Sequence, residues 1–156
     1  EHGVALFATG NLTYTSWGRV TDDALDALAR TGGLKPRMTQ PSAALVAART
    51  AVNRLIDRWD DGEARAVAAD NLFQDATLEA RRRQAETIRG ELGACRPDGP
   101  IQAENALRGA WLMTCDKGTL RVTVTLAPTV PPKIQFWDMT PGGRLPPLPG
   151  TATCPQ

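Results

Sequence analysis

The stretch LRGAWLMTCDKGTLRVTVTL, residues 107–126, decides the fold of this chain. Apolar and polar side chains alternate along both of its halves, a period of two that is typical of strands with one face in a core. Asp116, Lys117 and Gly118 separate the halves and form a hairpin turn signal. The stretch therefore predicts two antiparallel strands joined by a tight turn.

A third strand is predicted over residues 134–139, after a break in the Pro-rich segment 128–132. Four helices are predicted before the hairpin, because apolar side chains recur there at spacings of three and four residues. They cover residues 21–31 with Thr21 as the cap, 42–59 with Ser42 as the cap, 64–69, and 75–93 with Asp75 as the cap. Helices followed by an antiparallel meander predict an α+β fold, with the helices packed on one face of a curved sheet.

The composition argues against several classes of function. The net charge of +1 does not suit a dedicated binder of nucleic acid or of anionic membranes, which is usually basic. No apolar stretch reaches the roughly 18 residues that span a bilayer. Neither a metal nor a cofactor is indicated, since the sole histidine is His2 and no C-x-x-C pair is present.

The three cysteines bear on the compartment in which the protein works. A disulfide between Cys95 and Cys115 is favoured over two free buried thiols, and it implies an exported protein in the periplasm or outside the cell. Cys154 is left over and is expected to be exposed, because the segment 141–156 is rich in Pro and Gly.

The opening of the chain carries a first resemblance. Residues 4–9, VALFAT, predict a buried strand that stops at a turn. HGVALFATGNLTY, residues 2–14, followed by TDDALDALARTG, residues 21–32, resembles the end of a serine β-lactamase-like hydrolase domain, of the superfamily of class C β-lactamases, penicillin-binding proteins and esterases. In this resemblance Asn11 takes the place of the Asn at the end of the last strand.

The catalytic elements of that superfamily are not found in this sequence. S-x-x-K is missing, because Ser16 and Ser42 have Arg19 and Leu45 three positions later. Tyr14 does not begin a Tyr-x-Asn element, and His2 is interpreted as a polar residue at a strand edge. The resemblance therefore implies that the catalytic serine lies outside this chain, and that the chain is inactive alone.

A second resemblance covers residues 42–140. RWDDGEARAVAADNLFQD (residues 58–75), LGAC (92–95) and NALRGAWLMTCDKGTLRVTVTLAPTVPPKIQFWDM (105–139) resemble a C-terminal domain found after such hydrolase domains in exported bacterial proteins, in which paired cysteines and a Gly-x-Trp strand recur. The order of helices and strands is similar to the cone-shaped nuclear-transport-factor-2-like (cystatin-like) α+β fold.

Together the resemblances imply a domain organisation and a function. Residues 1–37 would be the terminal strand and helix of the hydrolase domain, 38–41 a linker, 42–140 an accessory domain and 141–156 a tail. The accessory domain would be non-catalytic, with the hydrolase domain of the same parent protein as its partner, which it would stabilise or cover.

The alternative is a domain that binds a small apolar ligand, since a cone of this type can enclose a pocket. The candidate lining residues are Trp59, Phe73, Trp111, Met113, Trp137 and Asp138, with Phe136 nearby. Most of this set is also explained as ordinary core. Asp138 is the one acid expected to point inward, and no partner for acid–base catalysis is visible. Arg81, Arg82 and Arg83 could bind phosphate or polyanions, but a solvated helix face with Glu79 and Glu86 nearby is favoured for them.

Overall fold

The computed structural model describes residues 4–11, 16–34 and 39–145. Within them the helices are α1 (Trp17–Arg30), α2 (Ala43–Asp57), α3 (Asp61–Val67), α4 (Leu72–Asp75) and α5 (Leu78–Leu92). The strands are β1 (Cys95–Ala103), β2 (Arg108–Cys115), β3 (Gly118–Ala127) and β4 (Lys133–Pro141). The described residues fall into two compact units, one within residues 4–34 and the other over residues 39–145.

The first unit contains α1 and an irregular segment before it. The strand predicted over residues 4–9 is wrong, because residues 4–10 have no regular secondary structure. A strand requires a hydrogen-bonded neighbour, and among the described strands none pairs with this segment. Phe7 is consequently 91% exposed. His2 and Tyr14 lie outside the described residues.

The predicted cap of α1 is also wrong. The helix begins at Trp17, and Thr21 lies inside it. The Thr21 hydroxyl donates a hydrogen bond to the carbonyl oxygen of Gly18 at 2.8 Å. A threonine can satisfy its hydroxyl in this way within a helix, so its presence alone does not mark a helix start.

The second unit has the α+β architecture that the sequence predicted. Its four strands form an open antiparallel sheet in the order β1-β2-β3-β4. The predicted hairpin is confirmed: Cys115 pairs with Gly118 across the two-residue turn, and Trp111 pairs with Val122. One face of the hairpin and one face of α2 and α5 enter a common core, whose members include Leu45, Val52, Leu55, Ile88, Trp111, Leu120 and Val124.

In the helices that it predicted, the sequence located the middle more accurately than the residue at which the helix begins. The Ser42 hydroxyl caps α2, accepting from the backbone N–H of Leu45 at 3.2 Å. The next helix, α3, begins at Asp61 rather than at the predicted residue 64, and Asp60 caps it, its Oδ1 accepting from the N–H of Glu63 at 2.7 Å. Asp75 is not the cap of α5. That position is held by Thr77, whose hydroxyl accepts from the N–H of Ala80.

The first strand, β1, was not predicted. It follows α5 through Gly93, whose φ of 79° turns the chain at the end of the helix. Cys95 pairs in register with Cys115 of β2, and the two form a disulfide with a Cα–Cα distance of 4.0 Å. The predicted disulfide is therefore confirmed, and it fixes the start of β1 to the end of β2.

Candidate functional site

The predicted pocket residues lie in a packed interior. Trp111 and Met113 of β2 are 0% and 1% exposed and form part of one continuous core. Trp111 and Trp137 stand on strands that are separated by β3, where they lie opposite Val122 and Val124 respectively. Val122 and Val124 of β3 lie between them and are fully buried. Trp111, Met113 and Trp137 are thus members of the core, and Phe73 is the residue of the predicted set that lines the surface groove described below.

Trp111 is held by a polar contact as well as by packing. Its indole Nε1 donates to the side-chain Oδ1 of Asn53, on α2, at 3.0 Å. A buried indole N–H needs such an acceptor, so Asn53 fixes both the orientation of the ring and the position of α2 on the sheet. Gly109, two residues earlier, pairs with Ala103 of β1. A Cβ there would lie 2.8 Å from Cγ2 of Ile101, which explains the glycine of Gly-x-Trp as a packing requirement.

Trp59 and Trp137 do come together. Their rings stack with centroids 5.9 Å apart and an interplanar angle of 12°. Trp59 is half-buried and donates its Nε1 proton to Oδ1 of Asp61 at 2.6 Å. Trp137 is 5% exposed, and its own Nε1 has no hydrogen-bond partner among the described residues. Phe73 of α4 is half-buried and packs against the same core.

The expectation that Asp138 points inward is wrong. A bulge in β4 places one extra residue between Phe136, opposite Thr125, and Ile134, opposite Leu126. The extra residue shifts the alternation, so Trp137 and Met139 enter the core while Asp138 lies on the other face of the sheet. There Asp138 accepts from the Thr140 hydroxyl at 2.8 Å and lies 3.9 Å from Arg121. Phe136 is likewise outside the core and is 41% exposed.

Arg81 is also placed differently from the prediction of a solvated face. It is 7% exposed, and its guanidinium donates to the carbonyl oxygens of Leu72 and Trp137, both at 3.2 Å. Burial lowers the pKa of Arg81, and the charge of Asp75 partly opposes this shift. Its contacts join α5 to α4 and to β4, so its role is structural.

A groove on the surface lies beside α3 and the start of α5. It has a volume of about 560 Å³ and is open to solvent. Phe73 and Leu78 supply its apolar lining, with Thr77 beside them. Its charged lining consists of Asp61 and Arg65 from α3 and of Glu79 and Arg82 from α5.

Phe73 is the one residue of this groove that the sequence predicted as a pocket residue, and it was expected to line an interior pocket. Arg82 belongs to the arginine run 81–83, but the run alone did not separate the buried Arg81 from its neighbours. Arg65 belongs to no sequence pattern that would mark it as a binding residue. Only the packing of α3 against α5 brings the two arginines to one surface.

The described part of the chain offers neither a metal-binding cluster nor a membrane-spanning helix. Within residues 4–11, 16–34 and 39–145, no group of three or more His, Cys, Asp and Glu side chains is arranged to hold a metal ion. No helix in the same ranges is both long enough and apolar enough to cross a membrane.

Comparison with known proteins gives no relative. No known protein family, no curated protein and no solved structure matches this chain.

Proposed function

We propose that residues 39–145 form a non-catalytic accessory domain of an exported serine β-lactamase-like hydrolase, and that they stabilise or cover its catalytic domain. The observation that carries the proposal is the filled interior between helices and sheet. Leu45, Leu55, Trp111 and Met113 are each at most 1% exposed, where a cone-shaped enzyme would need open space for its substrate.

The disulfide supports the exported location. Disulfides of this kind persist in oxidising compartments and are rare in the cytosol. Cys115 is buried and Cys95 is half-buried, and both pack with the core, so the bond is part of the structure of the domain.

The link to a hydrolase rests on the resemblance of residues 2–14 and 21–32. The first unit supports it by exposing apolar side chains, as expected for a segment that packs on a further surface. No residue of α1 is buried, and Val20 of that helix is 53% exposed. Val4, at 47%, and Phe7 are exposed as well.

Covalent labelling tests whether the chain itself is catalytic. The 156-residue chain should not react with a fluorescent penicillin or with a fluorophosphonate probe. The matched control is the double variant Ser16→Ala/Ser42→Ala, which has no serine left and reports non-specific signal. Stoichiometric labelling that disappears in the double variant would contradict the proposal.

The coding sequence upstream of Glu1 tests the link to the parent. We expect it to encode a signal peptide and an S-x-x-K element. Deletion of residues 39–145 from that longer protein should then lower its melting temperature while leaving probe labelling at its serine intact. A longer protein without S-x-x-K would refute the hydrolase assignment.

The alternative function, binding of a small apolar ligand between helices and sheet, is less well supported because that space is filled by Trp111 and its neighbours. A thermal-shift screen with apolar ligands tests it. An increase in melting temperature that Trp111→Phe removes, and that Trp59→Phe does not, would favour an interior ligand over the accessory role.

A further inference from the structure

The groove beside α3 and α5 combines charge and apolar surface in a way that the accessory role does not require. Its arginines, Arg65 and Arg82, have no ion pair or hydrogen bond from their guanidinium groups within the described part of the chain. Several arginines elsewhere are paired, such as Arg54 with Glu63 and Arg89 with Asp57. Two unpaired guanidinium groups therefore line one depression.

The two acids of the groove already have other partners. Asp61 accepts the indole proton of Trp59 at 2.6 Å. Glu79 accepts from Nη1 of Arg83 at 3.1 Å. Asp61 keeps its negative charge, because an indole is a neutral donor. With Arg83 counted, three guanidinium groups stand against the two carboxylates, so one positive charge is left unmatched at the groove.

The apolar lining determines what kind of anion would fit. Phe73 and Leu78 are half-buried, and both also pack against the core, so they present a fixed apolar surface. The groove volume of about 560 Å³ lies in the range of small-molecule sites. A guanidinium group binds a carboxylate with paired, charge-assisted hydrogen bonds.

We infer that this groove binds small organic carboxylates with an apolar body, the carboxylate contacting Arg65 and Arg82 and the body lying on Phe73. The site is separate from the packed interior, and the inference does not rest on the proposed accessory function.

A titration of the full chain followed by NMR tests the inference. The probe is 4-phenylbutyrate, and 4-phenyl-1-butanol is the neutral control of the same shape. We expect saturable shifts of backbone amides in α3 and in the first turns of α5, with a Kd of about 1 mM for so small a ligand. The alcohol should bind at least about tenfold more weakly, because it lacks the charge.

Single variants identify the residues that contact the carboxylate. Arg65→Gln and Arg82→Gln should each weaken 4-phenylbutyrate binding about tenfold. Arg96→Gln is the matched control, since Arg96 is an exposed arginine on β1 and is not part of the groove lining. The amide spectrum without ligand establishes that each variant is folded.

Three results would overturn the inference: no shifts at α3 and α5 up to 20 times the expected Kd (about 20 mM), equal binding of acid and alcohol, or binding unaffected by both groove variants. Labelling by the hydrolase probes is a different readout, so failure of this titration leaves the accessory proposal standing.

Discussion

Breaking the Cys95–Cys115 disulfide should cost the second unit about 3 kcal/mol of stability. The bond joins residues 20 apart in the chain. In the chain-entropy treatment a crosslink restricts the unfolded state, and a closed loop of about 20 residues corresponds to about 3.3 kcal/mol at 25 °C. With an unfolding entropy of about 2.1 cal/mol/K per residue over residues 39–145, the melting temperature should fall by roughly 15 °C.

Urea unfolding of oxidised and thiol-reduced protein measures this difference. Reduction is preferable to substitution, because both sulfur atoms remain in the core and no cavity forms. Cys154→Ser should be present in both samples, so that no third thiol exchanges with the bond. We also expect a larger urea m-value for the reduced form, whose unfolded chain exposes more surface.

The reasoning fails if the oxidised and reduced forms unfold with free energies within about 0.5 kcal/mol of each other, a difference well below the entropic estimate. It also fails if Cys95 and Cys115 both react with iodoacetamide in the native, unreduced protein. The double variant Cys95→Ala/Cys115→Ala should match the reduced form or be slightly less stable, since it adds a small cavity.

Four further substitutions test the packing, each by urea unfolding. Arg81→Lys should lower the free energy of unfolding by about 1–3 kcal/mol, because a lysine keeps the charge but lacks the planar fork that bonds two carbonyl oxygens. An unchanged free energy of unfolding would refute the bridging role of Arg81. Gly109→Ala should lower the free energy of unfolding by about 1–3 kcal/mol, because the added methyl group overpacks the site. Gly90 lies in open space on a helix, so Gly90→Ala should raise the free energy of unfolding by about 0.5–1 kcal/mol. Equal effects would contradict the packing argument. Asn53→Ala should cost about 1–3 kcal/mol by leaving the Trp111 indole N–H without an acceptor, and a neutral result would show that water replaces the amide.

The hairpin and α2 were predictable because their information is local. A period of two over residues 107–126 and a two-residue turn define both partners of the hairpin within one stretch of sequence. In α2 the apolar stripe Leu45, Ala48, Val52, Leu55 and Ile56 is buried throughout. In these segments the side-chain pattern and the fold require the same structure.

Strand β1 lacked any such local signal. Its sequence CRPDGPIQA contains two prolines and a glycine, which by themselves predict a turn. It can still be a strand because it lies at an edge of the sheet, where one side makes no ladder hydrogen bonds. The predicted disulfide could have revealed it, since linking Cys95 to Cys115 places the following residues beside β2.

Arg81 and Asp138 show how a single residue departs from a correct pattern. Arg81 occupies a position on the buried stripe of α5 that also contains Ala85 and Ile88, but its charge suggested the solvated side. Asp138 would share a face with Ile134 by simple alternation. The bulge that moves it is a feature of the pairing between β3 and β4, so the sequence of β4 alone could not predict it.

The packing of the second unit limits where it can recognise anything. Its interior is occupied by side chains with almost no exposure, and the disulfide fixes the end of β2 to the strand that follows α5. Opening this interior for a ligand would require removing core side chains, each worth about 2–5 kcal/mol when truncated to alanine. A surface groove needs no such change. Recognition by this unit is therefore expected at its surface, where an accessory interface and a carboxylate groove can coexist on one rigid domain.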